Sequence, residues 1–175
     1  TRKNKCIKVM NHSGTSHADV VPCYTHKVLE TPNSSYYEGI KFVADDGNKI
    51  INYPTIHFEN GNVKHQETNE IYKKMVRILK NINFSLIEEG TLRKGYAPSH
   101  LIECLVYNVP PNDFIESGFK NILKSVISRV HSDMSSINTA HIYKEVHEIK
   151  SLFGGEYSPI QARTFMEYAW GHVGF

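Results

Sequence analysis

The chain has 175 residues, of which 40% are hydrophobic, and this length suffices for one hydrophobic core or two small subdomains. A formal net charge of +2 excludes bulk electrostatics as the basis for nucleic-acid binding or for a polybasic membrane contact. No apolar run approaches the ~18 residues that span a bilayer, and we find no signal peptide, so we expect a cytoplasmic protein without a membrane partner.

The cysteines argue against a disulfide framework or a zinc site. Cys6, Cys23 and Cys104 are odd in number, far apart and without a Cys-x-x-Cys pair. This pattern predicts reduced, mostly buried thiols, as is typical of cytosolic proteins.

The first fifty residues have the patterns of β-strands. We predict strands at residues 5–10, 17–24, 36–44 and 49–52, joined by turns at residues 11–16 and 45–48. The short links predict an antiparallel ribbon. Asp45 and Asp46 have two interpretations, a hairpin turn or a pair of metal ligands, and the Asp-Asp-Gly-Asn sequence favours the turn.

The spacing of apolar residues becomes helical from Pro54 onward. One long helix is capped by Thr68, carries Glu70 in its first turn and ends at Gly90. Further helices are predicted over residues 98–109, 113–131 and 139–153, and a last one starts with a capping box at residues 158–161. We therefore predict an α+β fold, with a small sheet in residues 1–53 and a helical domain in residues 54–175.

Asp19 lies in the sequence HADVVPC (residues 17–23), on a predicted strand that is otherwise apolar. A buried, unpaired carboxylate is costly, so Asp19 needs a partner, a metal ion or a water-filled cleft. Backbone donors of a neighbouring turn could satisfy it. Alternatively it is a Mg²⁺ ligand, although one Asp cannot build a phosphoryl-transfer site alone.

Three further residues are candidates for binding phosphate or base. Lys80 ends a basic stripe with Lys73, Lys74 and Arg77, which is either a solvated face or a phosphate-facing surface. Ser99 and His100 lie in the first turn of the helix after Pro98, where free N–H groups favour an anion. Ser99 as a plain helix-start residue is equally compatible with the pattern.

The other histidines show no metal-binding or catalytic spacing. His141 and His147 are six residues apart, and His57 and His65 bracket a stretch predicted to be irregular. We expect no metal role for them. The sequence also contains no readable Ser/His/Asp constellation and no glycine-rich phosphate loop.

Several segments resemble the CD-NTases, bacterial relatives of cyclic GMP–AMP synthase and oligoadenylate synthase. HADVVPC is similar to the strand that carries their third catalytic carboxylate. The resemblance continues, in the family's order, in the following segments: YYEGIKF (36–42), INYPTIHFENGNVKH (51–65), TNEIYKKMVRILKNI (68–82) and APSHLIECLVYNVP (97–110).

The resemblance implies a polymerase-β-like nucleotidyltransferase core backed by a helical domain. It implies an enzyme that joins nucleoside triphosphates, ATP among them, into cyclic oligonucleotides that signal in anti-phage defence. Asp19 would be a Mg²⁺ ligand that helps to activate the attacking hydroxyl. Lys80 would contact the donor triphosphate, Ser99 would face phosphate, and His100 would replace the family's base-stacking Tyr.

One departure from the family is large. Its Gly-Ser loop and its pair of aspartates one residue apart precede the third carboxylate, and the eighteen residues before Asp19 contain neither. We therefore expect the C-terminal part of an enzyme, inactive alone and partnered by the missing N-terminal part. A nucleotidyltransferase that adds nucleotides to RNA or protein, or a non-catalytic interaction module, remains an alternative.

Overall fold

The computed structural model describes residues 2–10, 16–29 and 36–175. The chain divides into two compact units, Thr1–Ile56 and His57–Phe175. Strands fill the first unit and helices the second, so the fold is α+β as predicted. None of the helices in the described residues is long and apolar enough to cross a membrane.

The described residues of the first unit form two antiparallel sheets. Strands β1 (Ile7–Val9) and β2 (Ala18–Val20) form a two-stranded ribbon in which Lys8 lies opposite Asp19. The turn predicted at residues 11–16 lies, except for its last residue, outside the described residues. The second sheet has the order β3-β4-β5, formed by Tyr24–Leu29, Tyr36–Val43 and Lys49–Asn52. Strand β3 is absent from the sequence prediction, which ended a strand at residue 24.

The hairpin between β4 and β5 confirms the turn interpretation of Asp45 and Asp46. The Asp45 carboxylate accepts hydrogen bonds from the Arg2 guanidinium, with Nη2 at 2.5 Å from Oδ1. The Asp46 carboxylate accepts from Asn4 Nδ2 at 2.8 Å and from the Asn48 N–H at 3.0 Å. Both side chains therefore fasten the N-terminal residues to the hairpin.

A glycine lets β4 and β5 approach closely. A Cβ atom on Gly39 would lie 2.5 Å from the Asn52 carbonyl oxygen and 2.7 Å from the ring of Tyr53. Real Cβ contacts are not this short, so a larger residue must displace the backbone or the buried Tyr53 ring.

The second unit is helical. Its principal helices are α1 (Pro54–Glu67), α2 (Tyr72–Glu88), α3 (Ser99–Tyr107), α4 (Phe119–Asp133) and α6 (Pro159–His172), with the short α5 at Ile137–Ala140. Residues 57–65 belong to α1, so the predicted irregular stretch is wrong. The predicted helix at 113–131 begins later, because a 3-10 turn (Pro111–Phe114) and Gly118, at a φ of 81°, precede α4.

The helix predicted over residues 139–153 is wrong. After α5 the chain forms turns and bends, with Lys144 and Ser151 joined by an isolated β-bridge. The Asn108 side chain donates to the Lys144 carbonyl at 2.7 Å and accepts from its N–H at 3.0 Å. Both backbone groups that a helix would use are thus bonded to an amide side chain of α3.

Two helix starts follow the sequence prediction in different degrees. The capping box is confirmed, because the Ser158 hydroxyl accepts from the Gln161 N–H and the Gln161 side chain accepts from the Ser158 N–H. The Thr68 hydroxyl accepts from the first amide of α2, at Tyr72, at 3.0 Å. Glu70 precedes that helix at a φ of 62°, so its predicted place in the first turn is wrong.

The core of the second unit lies among α2, α3, α4 and α6. Its fully buried members, each contributing about 1.5–3 kcal/mol on burial, include Met75, Leu79, Leu101, Ile102, Leu105, Val126, Phe165 and Met166. These residues occupy the apolar positions that the helical spacing of the sequence identified.

Two glycine substitutions test this description. Gly39→Ala should lower the free energy of unfolding by about 1–3 kcal/mol, because its Cβ would overlap Asn52 and Tyr53.

Gly61→Ala, in α1, should raise the free energy of unfolding by about 0.5–1 kcal/mol, because its Cβ would meet only Val146 at 3.9 Å. Urea unfolding followed by circular dichroism measures both, and an unchanged Gly39→Ala midpoint would contradict the close approach.

Candidate functional site

Helices α2 and α3 position the candidate residues of the second unit. Lys80 follows the buried Leu79 on α2, so its side chain leaves the helix at the edge of the core. Ser99 is the exposed first residue of α3, after Pro98 in extended conformation, and His100 follows it. Ser99 therefore lies at the helix N-terminus, where backbone N–H groups are directed outward.

Glu103 is the centre of the charged contacts in this region. Its carboxylate accepts from Lys80 Nζ at 3.1 Å on one oxygen and contacts His57 Nε2 at 3.3 Å on the other. The hydrogen bonds from His57 and Lys80 lower the pKa of Glu103 to about 2, against the opposing effect of burial. This carboxylate is therefore ionised at neutral pH and joins α1, α2 and α3.

Three rings form a row beside this carboxylate. His57 stacks on His100 with centroids 5.9 Å apart and ring planes 29° apart, and His100 lies 6.1 Å from the Tyr157 ring. Burial lowers the pKa of His100, so its ring is neutral at pH 7. A neutral, partly exposed imidazole is suited to stacking against a planar ligand.

A second carboxylate holds His100 from the other direction. Glu145 Oε2 lies 2.9 Å from His147 Nε2 and 3.5 Å from His100 Nε2. His147 Nδ1 accepts from the Ile149 N–H at 3.1 Å, which leaves its Nε2 as the donor to Glu145. Burial, the largest single effect, would raise the pKa of Glu145, but His147, His100 and Lys150 together lower that pKa below its ordinary value.

Cys104 lies next to the same cluster without taking part in its ionisation. Its sulfur is 3.7 Å from His100 Nε2, and burial raises the pKa of its thiol to about 12. Such a thiol is not a nucleophile at neutral pH. All three cysteines are free, but only Cys104 is buried, because Cys6 is half-buried and Cys23 exposed. The expectation of mostly buried thiols is therefore wrong.

The lysines of the basic stripe on α2 have different contacts in the structure. Lys73 donates to the Asn62 side chain of α1, and Lys74 lies over the Phe119 ring at 5.8 Å. Lys80 instead pairs with Glu103, on a different helix. Lys80 therefore has a different partner from Lys73 and Lys74.

Asp19 belongs to the first unit, on β2. All three residues of β2 are exposed, so the expectation of a buried strand is wrong: both faces of a two-stranded ribbon are open. Across residues 2–10, 16–29 and 36–175, no three His, Cys, Asp or Glu side chains converge as a metal site would require. Asp19 offers one oxygen ligand of the kind that Mg²⁺ prefers, which fits a shared site and not a complete one.

The sequence analysis missed five residues of the cluster, namely His57, Glu103, Glu145, His147 and Tyr157. One signal was present, because Glu103 follows Ser99 by four residues and thus shares its helix face. Nothing in local spacing connects position 57 or position 145 to α3, since their contacts with His100 and Glu103 span 43 to 46 residues of chain.

A family model described as the cGAS/DncV-like nucleotidyltransferase C-terminal helical domain matches residues 59–174. The fold and this match define the class of protein: the chain belongs to the CD-NTase family, in the region of its C-terminal helical domain.

Individual relatives are cyclic nucleotide synthases. A cyclic dipurine nucleotide synthase of Elizabethkingia meningoseptica is 42% identical over an alignment of 177 positions. The alignment covers 99% of this chain and 59% of the relative. A cyclic UMP-AMP synthase of Rhodothermus marinus is 36% identical over 156 residues, with 86% and 52% covered.

Solved structures agree with these relatives. The E. meningoseptica CdnE cyclic dinucleotide synthase, determined with GTP and Apcpp, has a TM-score of 0.92 at 41% identity and is covered to 64%, with all of this chain aligned. The R. marinus CdnE c-UMP-AMP synthase, determined with Apcpp and Upnpp, has a TM-score of 0.85 at 34% identity and is covered to 60%, again over the whole of this chain. The chain thus spans between 52% and 64% of the length of these four matches.

The Glu103 contacts predict a pH-dependent contribution to stability. Because the pKa of Glu103 is lowered from 4.5 to about 2 on folding, its stabilisation is complete above the unfolded pKa and is lost as pH falls toward 2. Glu103→Gln should lower the free energy of unfolding by about 2 kcal/mol at pH 7, allowing for partial exposure, and by about half as much at pH 3.

Urea titrations at pH 7, 5 and 3 measure this difference. Glu167→Gln is the matched control, because the Glu167 carboxylate also contacts a histidine and a cation, His131 and Arg163, but on an exposed surface. Its effect should be small at every pH. An equal loss for Glu103→Gln at pH 7 and pH 3 would show that its charge is not the stabilising factor.

Proposed function

We propose that this chain is part of a Mg²⁺-dependent nucleotidyltransferase that joins nucleoside triphosphates into cyclic oligonucleotides. The observation that carries the proposal is the similarity over the whole chain to CdnE cyclic dinucleotide synthases, with TM-scores of 0.92 and 0.85. We propose in addition that the products signal in anti-phage defence, and that the enzyme works in the cytoplasm, where nucleoside triphosphates are available.

Each candidate residue has a role in this proposal. Asp19 would hold Mg²⁺ together with the Asp-x-Asp carboxylates of a preceding segment of the enzyme, and its exposure on β2 is compatible with such sharing. When bound, the ion supplies positive charge that neutralises phosphate oxygens and favours the alkoxide form of the attacking ribose hydroxyl. Asp19 itself adds a negative charge that draws the ion to the strand.

The second unit binds the nucleotide in this proposal. Lys80 is a point charge for the triphosphate, and Ser99 offers a hydroxyl beside the backbone N–H groups of the α3 N-terminus. His100 supplies a ring against which a base stacks. Two neighbouring rings, His57 at 5.9 Å and Tyr157 at 6.1 Å between centroids, favour a fixed ring plane.

The proposal also includes a protein partner for the first unit. Its strands expose large apolar side chains, namely Ile7, Val9, Val20, Leu29 and Val43, each at least 46% exposed. We propose that a preceding segment of the same enzyme, with the Gly-Ser loop and the Asp-x-Asp pair, covers part of this surface.

The 175-residue chain alone should not catalyse. Asp19 lacks convergent ligands in the part of the chain that the structure describes, and phosphoryl transfer by two metals needs several carboxylates. Incubation with labelled ATP, GTP, UTP and CTP and Mg²⁺ should give no product on thin-layer chromatography. Robust oligonucleotide synthesis by the purified chain would overturn the expected division of the site.

The full-length protein that contains this chain should depend on Asp19. Asp19→Asn keeps the side-chain volume but removes the charge that binds Mg²⁺, so synthesis should fall by at least about 10³-fold while circular dichroism is unchanged. Asp46→Asn, in the β4–β5 turn, is the control and should retain activity. Mass spectrometry of the products tests the function: linear products, or nucleotides attached to RNA or protein, would replace cyclic synthesis, and retained activity of Asp19→Asn would remove Asp19 from the site.

A further inference from the structure

Glu103 contacts Lys80, the residue proposed to bind the triphosphate, but has itself no role in the proposed nucleotide site. Its carboxylate contacts the Lys80 ammonium group on α2 and the His57 ring on α1. Each carboxylate oxygen has one of these partners. Glu103 is therefore held from both sides, and its own position on α3 is set by the buried Ile102 and Cys104 that flank it.

A fixed carboxylate restricts the lysine that pairs with it. A free lysine side chain samples many rotamers, and ordering it on ligand binding costs conformational entropy. The contact of 3.1 Å between Lys80 Nζ and Glu103 Oε2 orders the ammonium group before any ligand arrives. An ammonium has three N–H donors, so one contact with Glu103 leaves donors for phosphate oxygens.

The Glu103 carboxylate is also connected to the rings of His57 and His100. His57 contacts Glu103 through Nε2 and stacks on His100, so the carboxylate connects the lysine to the rings through one histidine. A ligand with a triphosphate and a planar base would meet two groups that Glu103 orders together. This is the geometry of a preorganised site, in which the protein rather than the ligand bears the cost of ordering.

We propose that Glu103 is a positioning residue that holds the Lys80 ammonium in place for the triphosphate, with His57 as its second anchor. The inference rests on the proposed function, in which Lys80 contacts the nucleotide. Glu103 itself touches no substrate. Its negative charge would repel a triphosphate, so its benefit to binding arises only through the cation that it orders.

A double-mutant cycle in the full-length protein tests the inference. Lys80→Met and Glu103→Gln should each raise the KM for ATP about tenfold, with kcat changed less than about threefold. The double variant should have a KM no higher than that of Lys80→Met alone, because without the ammonium Glu103 has nothing to position and its substitution removes only the repulsion of the triphosphate. Glu103→Asp, which keeps the charge on a shorter side chain, should recover part of the loss.

The controls separate this role from stability. Glu167→Gln should leave the KM for ATP unchanged, although it also breaks contacts of a carboxylate with a cation and a histidine. Circular dichroism at the assay temperature confirms that every variant is folded, which matters because Glu103→Gln is expected to be less stable.

The outcomes are distinguishable. If Glu103→Gln raises the KM a further tenfold in the Lys80→Met background, Glu103 acts independently of Lys80 and the inference is wrong. If Lys80→Met raises the KM but Glu103→Gln does not, the positioning role alone is wrong and the proposed function stands. If Lys80→Met leaves the KM unchanged, the phosphate role of Lys80 fails, and the positioning role fails with it.

Discussion

The packing of α2 against α3 is the contact on which the candidate site depends. Leu79 on α2 and Ile102 on α3 are fully buried, and the residues that follow them directly are Lys80 and Glu103. Since successive residues of a helix are about 100° apart, burying one residue brings its neighbour to the edge of the interface. The hydrophobic effect therefore places the ammonium and the carboxylate together, and their 3.1 Å contact follows from core packing.

The half-buried charges near this interface are ordered because each has partners. Glu103 contacts Lys80 and His57, while Glu145 contacts His147 and His100. An unpaired carboxylate at this depth would be expensive, and removing one partner would leave that cost in place. The pairs thus stabilise one arrangement of the rings, in which His100 is supported by carboxylate contact and by stacking. Such order suits a binding surface that must present a flat ring.

The segment after α5 is the part of the second unit that completes the cluster. Asn108 bonds both backbone groups of Lys144, and the neighbouring Tyr143 and Val146 are buried. Residues 145–150 form turns, in which the Glu148 N–H donates to the Glu145 carbonyl. In this conformation Glu145 reaches His100 and His147 in the same region. The function proposed for His100 thus depends on a segment without regular secondary structure.

Much of the secondary structure was predictable because it follows from local chemistry. The capping box at Ser158, the end of α3 before Pro110 and the turn at Asp45 depend on residues within a few positions of each other. The apolar period of α2 likewise identified its buried face, with Met75 and Leu79. Strand β3 escaped prediction because Thr25, His26 and Lys27 break the apolar alternation, and its pairing with β4 supplies what the local pattern lacks.

By itself the sequence determined the α+β fold class, the helices α2, α3, α4 and α6 and the family, because helix periodicity, capping and motif order are written in neighbouring residues. It could single out Asp19, Lys80, Ser99 and His100 only as candidates. Tertiary structure alone decided that Lys80 pairs with Glu103, that His57 stacks on His100 and that Glu145 joins His147. These contacts join residues on separate helices and on the segment after α5. Packing, and not spacing along the chain, sets the distance between such residues.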